Sequence, residues 1–368
     1  MDAEIIVVGA GLMGTSAALE LARRGHRVLV LEQFDAGHSR GSSHGPTRIF
    51  RFSYQDPVYV ELALEGWRDW QRLERDLGAA VVEPTGGIDI GEGAALCAQA
   101  LSECGVAFEE LDAGEISDRF DLHVAADSYS IFQESTGVIA ASKVVASQAH
   151  LASLAGAEFR YGVKVRSVSP GPDGVEVVVE DGSISAERAV VGAGAWTRQL
   201  AQTAKIELPL VVTKEQVAYF SIARDLPVII DWNEPTHYLV PKRHEAAGVR
   251  VGLHHHGAEV DPDLGPFEPT DDGIEEVTSW LGGISGQKPE FIAGETCLYT
   301  NAPNEDFVFA QDGPLLVASA CSGHGFKFGP RMGRAAADLT EDKDPGLPAR
   351  LIWRERPDDS TESAPATP

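Results

Sequence analysis

The side chains most able to do chemistry lie in three short segments, and the first of these contains two arginines. Residues 41–51 read Gly-Ser-Ser-His-Gly-Pro-Thr-Arg-Ile-Phe-Arg, which places Arg48 and Arg51 three positions apart. On a turn of helix this spacing would put both guanidinium groups on one face. Such a pair could bind a carboxylate bidentately or balance an anionic ring. A pair of solvated arginines is the ordinary alternative.

The other two segments lie in the C-terminal third of the chain. Residues 294–300 place a cysteine, Cys297, two positions before a tyrosine. Residues 321–330 follow a predicted strand and contain the run Gly-His-Gly-Phe-Lys, which ends at Lys327. Open α/β sheets bind their ligands at loops of this kind, at the carboxyl ends of strands. The sequence therefore predicts that this loop contributes to a ligand site.

The first 32 residues predict the elements that would hold a cofactor beside these segments. A β-branched run predicts a strand buried on both faces, and Gly-Ala-Gly-Leu-Met-Gly and an apolar-faced helix follow it. Gly9 would permit the tight turn, Gly11 the approach of a pyrophosphate and Gly14 the packing of helix on strand. Glu32 ends the second strand 18 residues after Gly14, where a carboxylate can accept a hydrogen bond from a ribose hydroxyl. The pattern favours FAD or NAD over NADP.

The composition restricts the classes of function. With 368 residues the chain is long enough for two domains. Its 56 acidic and 30 basic residues give a net charge of −26, which disfavours nucleic acid and anionic membranes as partners. No apolar run approaches the roughly 18 residues that span a bilayer. The first strand leaves no room for a signal peptide, so we expect a cytoplasmic protein. The four cysteines form no Cys-x-x-Cys pair, so neither a zinc site nor a disulfide framework is predicted.

The order of the predicted elements indicates domains that the chain enters more than once. Val81–Ile90 is predicted as strand. Residues 188–196 repeat the strand-then-glycine pattern of the N-terminal segment. Residues 215–305 contain alternating strands typical of an antiparallel sheet, and Leu315–Ala318 predicts a strand that returns to the first sheet.

Together these segments resemble the monomeric sarcosine oxidase and N-methyltryptophan oxidase family of FAD-dependent amino acid oxidases. The motifs GAGLMG, GSSHGPTRIFR, TCLYT and SGHGFKF occur in the family's order, and the resemblance covers nearly the whole chain. Members join a Rossmann-like FAD domain to a substrate domain with a mixed sheet. They oxidise secondary amino acids at the carbon–nitrogen bond, reduce oxygen to hydrogen peroxide and leave an imine that hydrolyses. The resemblance implies this reaction and FAD as the cofactor.

The resemblance and the element order together define the expected fold. It is α/β, with a Rossmann-like FAD-binding domain of the D-amino-acid-oxidase-like superfamily interleaved with a substrate domain that has a mixed or antiparallel sheet. The expected boundaries are residues 1–85, 140–212 and 306–356 for the FAD-binding domain, residues 86–139 and 213–305 for the substrate domain, and 357–368 for a disordered tail.

The resemblance also implies roles for individual residues. Cys297 would bond covalently to the 8α-methyl group of the flavin, with Cys321 the weaker competitor. Arg51 and Lys327 would bind the substrate carboxylate, and Arg48 would stabilise the reduced flavin. The pocket that shapes and polarises the amine site would be lined by Tyr238, His254, Tyr299 and His324. The residues expected to contact FAD are Gly9, Gly11, Met13, Gly14, Glu32, Ser42, Ser43, Thr47, Arg48, Val165, Gly194, Cys297, Gly323, Gly325, Phe326 and Lys327.

No metal site is predicted. His254 and His324 could bind an ion, but the motif offers them no histidine or carboxylate partner at ligand spacing.

The sequence departs from the family at one position. Arg250 stands where the family has the lysine above the flavin that activates oxygen, with Gly252 and His254 matching on the C-terminal side and one extra residue upstream. Delivery of electrons to oxygen is therefore the least secure part of the inherited function. A flavin-dependent amino acid dehydrogenase that uses another acceptor is the alternative.

Two further alternatives stay open at this stage. An NAD-dependent imine reductase would use the N-terminal fingerprint alone, and a catalytically silent flavoprotein would act by binding a partner. For an oxidase, the substrate could be sarcosine, an N-methyl aromatic amino acid, a cyclic imino acid or a glycated amino acid. The expected oligomeric state is a monomer.

Overall fold

The structure, a computed structural model, describes residues 1–353, so the predicted tail at 357–368 lies outside the described residues. The helices in this range are α1 (Leu12–Arg23), α2 (Pro57–Leu77), α3 (Glu92–Glu103), α4 (Ala113–Phe120), α5 (Ala141–Leu154), α6 (Thr197–Thr203), α7 (Asp271–Ser285) and α8 (Gly329–Thr340). The strands are β1 (Ala3–Val8), β2 (Val28–Glu32), β3 (Thr47–Phe50), β4 (Val82–Pro84), β5 (Gly87–Ile90), β6 (Glu109–Leu111), β7 (Ser130–Gln133), β8 (Gly137–Ala140), β9 (Glu158–Tyr161), β10 (Ser167–Gly171), β11 (Gly174–Val179), β12 (Gly182–Val191), β13 (Val211–Ser221), β14 (Val228–Asp231), β15 (His237–Val240), β16 (Val249–Leu253), β17 (Ala258–Glu259), β18 (Glu290–Asn301), β19 (Val308–Asp312), β20 (Leu315–Ser319) and β21 (Ile352–Trp353).

The first large sheet positions the glycine-rich turn. Its strand order is β21-β19-β20-β12-β1-β2-β9, with β10 and β11 attached beside β12. β20, β12, β1, β2 and β9 run parallel. Alternate residues of β1 enter two different apolar clusters, Ile5 and Val7 in one and Ile6 and Val8 in the other. The strand is therefore buried on both faces, which explains why its sequence is apolar throughout.

The second large sheet has the strand order β17-β13-β16-β15-β14-β5-β7-β6, with β18 also paired to β13. Its pairs are antiparallel except for β5 and β14, which run parallel. A small sheet, β3-β8-β4, completes the set. The predicted fold class, a Rossmann-like sheet combined with a mixed sheet, is confirmed.

The two large sheets draw on alternating segments of the chain. The first takes strands from residues 3–32, 158–191 and 308–353, whereas the second takes strands from residues 87–133 and 211–301. This pairing supports the proposed division into an FAD-binding and a substrate domain, whose boundaries stay a prediction. No helix within residues 1–353 is long and apolar enough to cross a membrane.

Two local predictions are wrong. The stretch Val81–Ile90 is not one strand, because Gly86 has a φ of +70° and divides it into β4 and β5, which join different sheets. Residues 48–51 form no turn of helix either. Arg48 lies in β3, paired with β8, and Arg51 follows the end of that strand. The spacing of the two arginines was compatible with either structure, and pairing with a distant strand decided it.

Gly14 tests the packing of α1 on β1. A Cβ at Gly14 would lie 1.8 Å from the backbone oxygen of Gly9 and 3.5 Å from Val7 Cγ1, so Gly14→Ala must displace α1 or the turn. Overpacking of this kind costs roughly 1–3 kcal/mol. We expect a lower Tm and a lower FAD content in the purified protein.

Gly283→Ala is the matched control. Gly283 lies in α7, and an added Cβ would meet no atom within 4 Å. Alanine is favoured over glycine in a helix by about 0.5–1 kcal/mol, so this variant should keep its FAD and its Tm or gain slightly. An unchanged Tm and FAD content in Gly14→Ala would contradict the packing argument.

Candidate active site

A single large cavity of about 680 Å³ brings together nearly all the residues that the sequence predicted for the site. Of those residues, the ones that line it are Gly9, Gly11, Met13, Glu32, Ser42, Ser43, Arg48, Arg51, Val165, Gly194, Tyr238, Arg250, His254, Cys297, Tyr299, Gly323, His324, Gly325, Phe326 and Lys327. Gly14 and Thr47 do not line it. Its volume lies within the usual range for ligand sites.

One end of the cavity is formed by the turn between β1 and α1. Gly9 has a φ of +101°, and a Cβ there would lie 2.6 Å from the backbone oxygen of Gly192. A Cβ on Gly11 would meet Ser43 Oγ at 3.2 Å. Gly11, the N-cap residue of α1, has no side chain to cap the helix. Leu12 N donates to Ser43 Oγ at 3.1 Å, and the N–H groups that follow it in the first turn of α1 can donate to an anion. This end has the space and the donors that a pyrophosphate needs.

Glu32 supplies the acceptor that a ribose needs. The carboxylate is buried at the end of β2 and accepts hydrogen bonds from Ala10 N at 2.8 Å and Phe34 N at 3.0 Å. Burial acts to raise the pKa of Glu32, but hydrogen bonds from His38, Ala10 and Phe34 hold it below its usual value. An ionised, acceptor-only group at this position fits a dinucleotide without a 2′-phosphate, such as FAD.

Cys297 lies in a positively charged part of the cavity wall. It belongs to β18 and is buried; burial raises the pKa of the thiol, while the charges of Arg250 and Arg48 oppose that shift. Cys321 also lines the cavity, and its Sγ accepts a hydrogen bond from Thr300 N at 3.4 Å. Both cysteines that the sequence singled out therefore reach the site.

Thr47 links the two arginines of this wall. Its backbone oxygen accepts a hydrogen bond from Arg48 Nη1 at 2.7 Å and another from Arg250 Nη1 at 2.8 Å. Arg48 Nη2 also donates to the backbone oxygens of Ser42 and His44, each at 2.7 Å. Burial and the charges of Arg48 and Arg250 lower the pKa of His44 to about 4, so that this ring is neutral near pH 7.

Arg51 and Lys327 form a second, separate pair of buried cations. Lys327 Nζ donates to Tyr54 Oη at 2.8 Å and to the backbone oxygen of His324 at 2.9 Å. Arg51 lies over the rings of Tyr54 and Trp232, with its guanidinium carbon 4.3 and 5.1 Å from their centroids. Within residues 1–353 neither side chain forms a salt bridge. Burial and the charge of Arg51 place the pKa of Lys327 well below its usual value.

The sequence analysis missed three residues that surround Arg51 and Lys327. Tyr54 and Trp232 flank Arg51, and Asp89 Oδ1 accepts a hydrogen bond from Trp232 Nε1 at 2.9 Å. Burial raises the pKa of Asp89, and the charge of Arg51 opposes that shift. Asp89 is an acid whose charge interacts with that of Arg51, but it comes from β5, and no local pattern connects it to the arginine motif.

The histidines and the tyrosine that line the cavity together with Arg51 and Lys327 are uncharged near pH 7. His324 Nε2 donates to the backbone oxygen of Glu305 at 2.9 Å, and its Nδ1 lies 3.2 Å from Tyr54 Oη. Burial and the charge of Lys327 place the pKa of His324 well below its usual value. Burial also lowers the pKa of His254 and raises that of Tyr238. His254, His324 and Tyr238 therefore add no charge to that of the two cations.

His254 has partners that the sequence did not reveal. The ring nitrogens of His254 and His255 and a carboxylate oxygen of Glu305 all lie within 4.8 Å of one another. The expectation that no further ligand lies near His254 is therefore wrong. Glu305 is 51 positions away from His254 in the chain, so spacing could not show it.

A glycine-rich turn, a buried acid at the end of the second strand and a pair of buried cations thus line one cavity, as expected for a flavin-dependent oxidoreductase. Residues 4–339 match the family model described as FAD dependent oxidoreductase, and the chain belongs to that family. The NAD-dependent imine reductase is thereby set aside.

The relatives carry the names that the motifs suggested. The monomeric sarcosine oxidase of Streptomyces avermitilis is 33% identical over 91% of this chain and 93% of its own length. The N-methyl-L-tryptophan oxidase of Yersinia pestis is 27% identical over 93% and 96%. Among solved structures, NikD, described as an unusual amino acid oxidase essential for nikkomycin biosynthesis, has a TM-score of 0.87 at 26% identity, covering 95% of this chain and 97% of that one. The resemblance is confirmed.

The lowered pKa of Lys327 predicts that the affinity for a carboxylate depends on pH. A bound carboxylate favours the ammonium form, whose pKa is low in the free protein, so binding takes up a proton once the pH exceeds that pKa. The affinity for a carboxylate should then fall as pH rises, approaching about tenfold per pH unit.

Propionate is a suitable probe, because its carboxylate stays ionised above about pH 6. Its Kd can be measured from the perturbation of the flavin spectrum across neutral and alkaline pH. Lys327→Met should bind propionate more weakly and lose the pH dependence. A Kd that is independent of pH in the wild-type protein would contradict the argument.

Proposed function

We propose that this enzyme uses FAD to oxidise a small secondary amino acid, N-methylated or cyclic, to an imine, with oxygen reduced to hydrogen peroxide. The observation that carries the proposal is the buried pair Arg51 and Lys327, two cations without a carboxylate partner in the cavity that contains the glycine cradle. The names of the relatives, sarcosine oxidase and N-methyl-L-tryptophan oxidase, support an N-methyl amino acid.

The cation pair would bind and orient the substrate. FAD, when bound, supplies the acceptor for the two electrons removed from the carbon–nitrogen bond. Arg51 can present two parallel N–H groups to a carboxylate, and Lys327 adds a third donor. Holding the carboxylate at both residues would fix the position of the α-carbon and the nitrogen, and such fixation accounts for much of the rate that enzymes gain.

The same cations would keep the amine neutral. An ammonium group brought next to Arg51 and Lys327 meets like charges, which lowers its pKa and favours loss of its proton. His254, His324 and Tyr238 carry no charge that would oppose this effect. The lone pair of the nitrogen is then available when the bond is oxidised, and no side chain has to act as a strong base.

An anaerobic spectral screen tests the function. The purified holoenzyme is mixed without oxygen with sarcosine, N-methyltryptophan, proline and their primary-amine counterparts, and the flavin absorbance is followed. We expect at least one secondary amino acid to bleach the oxidised flavin band faster than its primary counterpart. If no amino acid reduces the flavin, the proposal fails, and a catalytically silent flavoprotein becomes the better account.

We further propose that Cys297 holds the FAD covalently through the 8α-methyl group of the flavin. The neighbouring charges of Arg250 and Arg48 favour the thiolate, which is the nucleophilic form of a cysteine, against the effect of burial. Protein precipitated with acid should stay yellow, and Cys297→Ser should release the colour into the supernatant. Cys321→Ser is the matched control, since its sulfur lines the same cavity. Release by Cys321→Ser alone would mean that Cys321 is the attachment site.

A second candidate function, a dehydrogenase with another electron acceptor, is favoured by Arg250. Arg250 Nη1 donates a hydrogen bond to the backbone oxygen of Thr47 at 2.8 Å. A guanidinium group also spreads its charge over a plane, whereas the ammonium group of a lysine concentrates the charge at one atom. Loss of one well-placed electrostatic donor typically costs about a hundred- to a thousandfold in rate. Arginine keeps the charge, so we expect a smaller deficit in the reaction with oxygen.

Arg250→Lys distinguishes the two functions. The enzyme is reduced anaerobically and mixed with oxygenated buffer, and the return of the oxidised spectrum is timed. We expect faster reoxidation in Arg250→Lys, with an unchanged rate of flavin reduction by substrate as the internal control. Equal or slower reoxidation would mean that Arg250 itself is competent with oxygen.

A further inference from the structure

A cluster of two histidines and one glutamate lies at the edge of the active-site cavity. His254 and His255 follow β16, and Glu305 ends the turn after β18. The Nε2 atoms of His254 and His255 lie 3.8 and 3.4 Å from Glu305 Oε2. The two imidazole rings meet at 61° with centroids 4.1 Å apart, so they converge on the carboxylate rather than stack.

The spacing fits a divalent transition metal. Zinc binds histidine nitrogen at about 2.0–2.1 Å and carboxylate oxygen at about 2.0–2.2 Å, which puts neighbouring ligand atoms of a tetrahedral site roughly 3.3–3.5 Å apart. The 3.4 Å distance between His255 Nε2 and Glu305 Oε2 matches this value. The 3.8 Å distance between His254 Nε2 and the same oxygen needs a small side-chain movement. Two histidines and a carboxylate supply three ligands and leave one position open.

The oxidation reaction does not explain this cluster. His255 does not line the cavity, and its buried Nε2 faces Glu305 Oε2 at 3.4 Å without a well-aligned hydrogen bond in the part of the chain that the structure describes. A buried nitrogen and a carboxylate that face each other in this way can be satisfied by a proton on the imidazole or by a cation bound between them. Its neighbour His256, by contrast, is exposed and stands outside the cluster.

We propose that His254, His255 and Glu305 bind one Zn²⁺ or a similar first-row divalent cation, and that the bound ion inhibits the enzyme. Two contacts connect the cluster to the substrate end. His254 itself lines the cavity, and the backbone oxygen of Glu305 accepts the hydrogen bond from His324 Nε2. An ion that draws His254 and Glu305 together shifts both of these contacts, and weakens the binding of substrate.

Calorimetric titration of the holoenzyme with zinc sulfate tests the site, after treatment with a chelator and desalting. We expect one Zn²⁺ per chain in the wild-type protein. His255→Ala and the isosteric Glu305→Gln should each weaken binding at least about tenfold, as loss of a ligand costs no less than loss of a supporting contact. His256→Ala is the matched control and should bind as the wild type does.

Zinc binding is measured without turnover, so it is independent of the proposed oxidation. Absence of stoichiometric binding, or equal binding by Glu305→Gln, would overturn the site. The inhibitory role is tested separately, by the substrate concentration that half-reduces the flavin under anaerobic conditions. Zinc should raise this concentration in the wild type and in His256→Ala, and leave it unchanged in Glu305→Gln. A value that zinc does not alter in the wild type would overturn the inhibition.

Discussion

The site depends on two cations buried side by side without an anion between them. A buried charge that lacks a partner costs several kcal/mol. The protein offsets part of this cost for Arg51 with the rings of Tyr54 and Trp232 and with the acid Asp89. For Lys327 it supplies hydrogen bonds to Tyr54 Oη and to the backbone oxygen of His324, and the part of the cost that is not offset appears as a lowered pKa of this side chain. The part of the cost that is not offset favours the binding of a ligand with negative charge. In the proposed function, a carboxylate that enters the cavity would compensate both positive charges.

The interleaved fold makes this arrangement possible. β3, from the small sheet, leads into Arg51, while Lys327 lies in the loop between β20 of the first sheet and α8. Asp89 lies in β5 and Trp232 directly follows β14, and both of these strands belong to the second sheet. The cation pair therefore lies where residues from all three sheets meet, and the glycine-rich turn at the end of β1 lines the same cavity. The electron acceptor and the substrate can be held by different sheets and still be in contact.

Local patterns predicted the βαβ unit that forms one end of the cavity. The turn that contains Gly9 and the acid Glu32 follow from strand, helix and glycine spacing over 32 residues, and the structure builds both within one βαβ unit. The residues around Arg51 and Lys327 were predicted only through motifs, and the acids near them were missed. Asp89 and Glu305 reach the site through pairing between distant strands, and no spacing in the chain encodes such contacts. The arginine motif was located but given the wrong local structure, because three-residue spacing does not distinguish a strand end from a turn of helix.

The most direct test compares a carboxylate with its uncharged counterpart at the cation pair. The amino acid that reduces the flavin fastest and its primary amide are each titrated anaerobically into the wild type and into Lys327→Met. Charge-assisted hydrogen bonds contribute about 1.5–3 kcal/mol each, so the acid should be preferred roughly ten- to a hundredfold in the wild type. The preference should shrink in Lys327→Met. An amide that binds as tightly as the acid in the wild type would contradict the account.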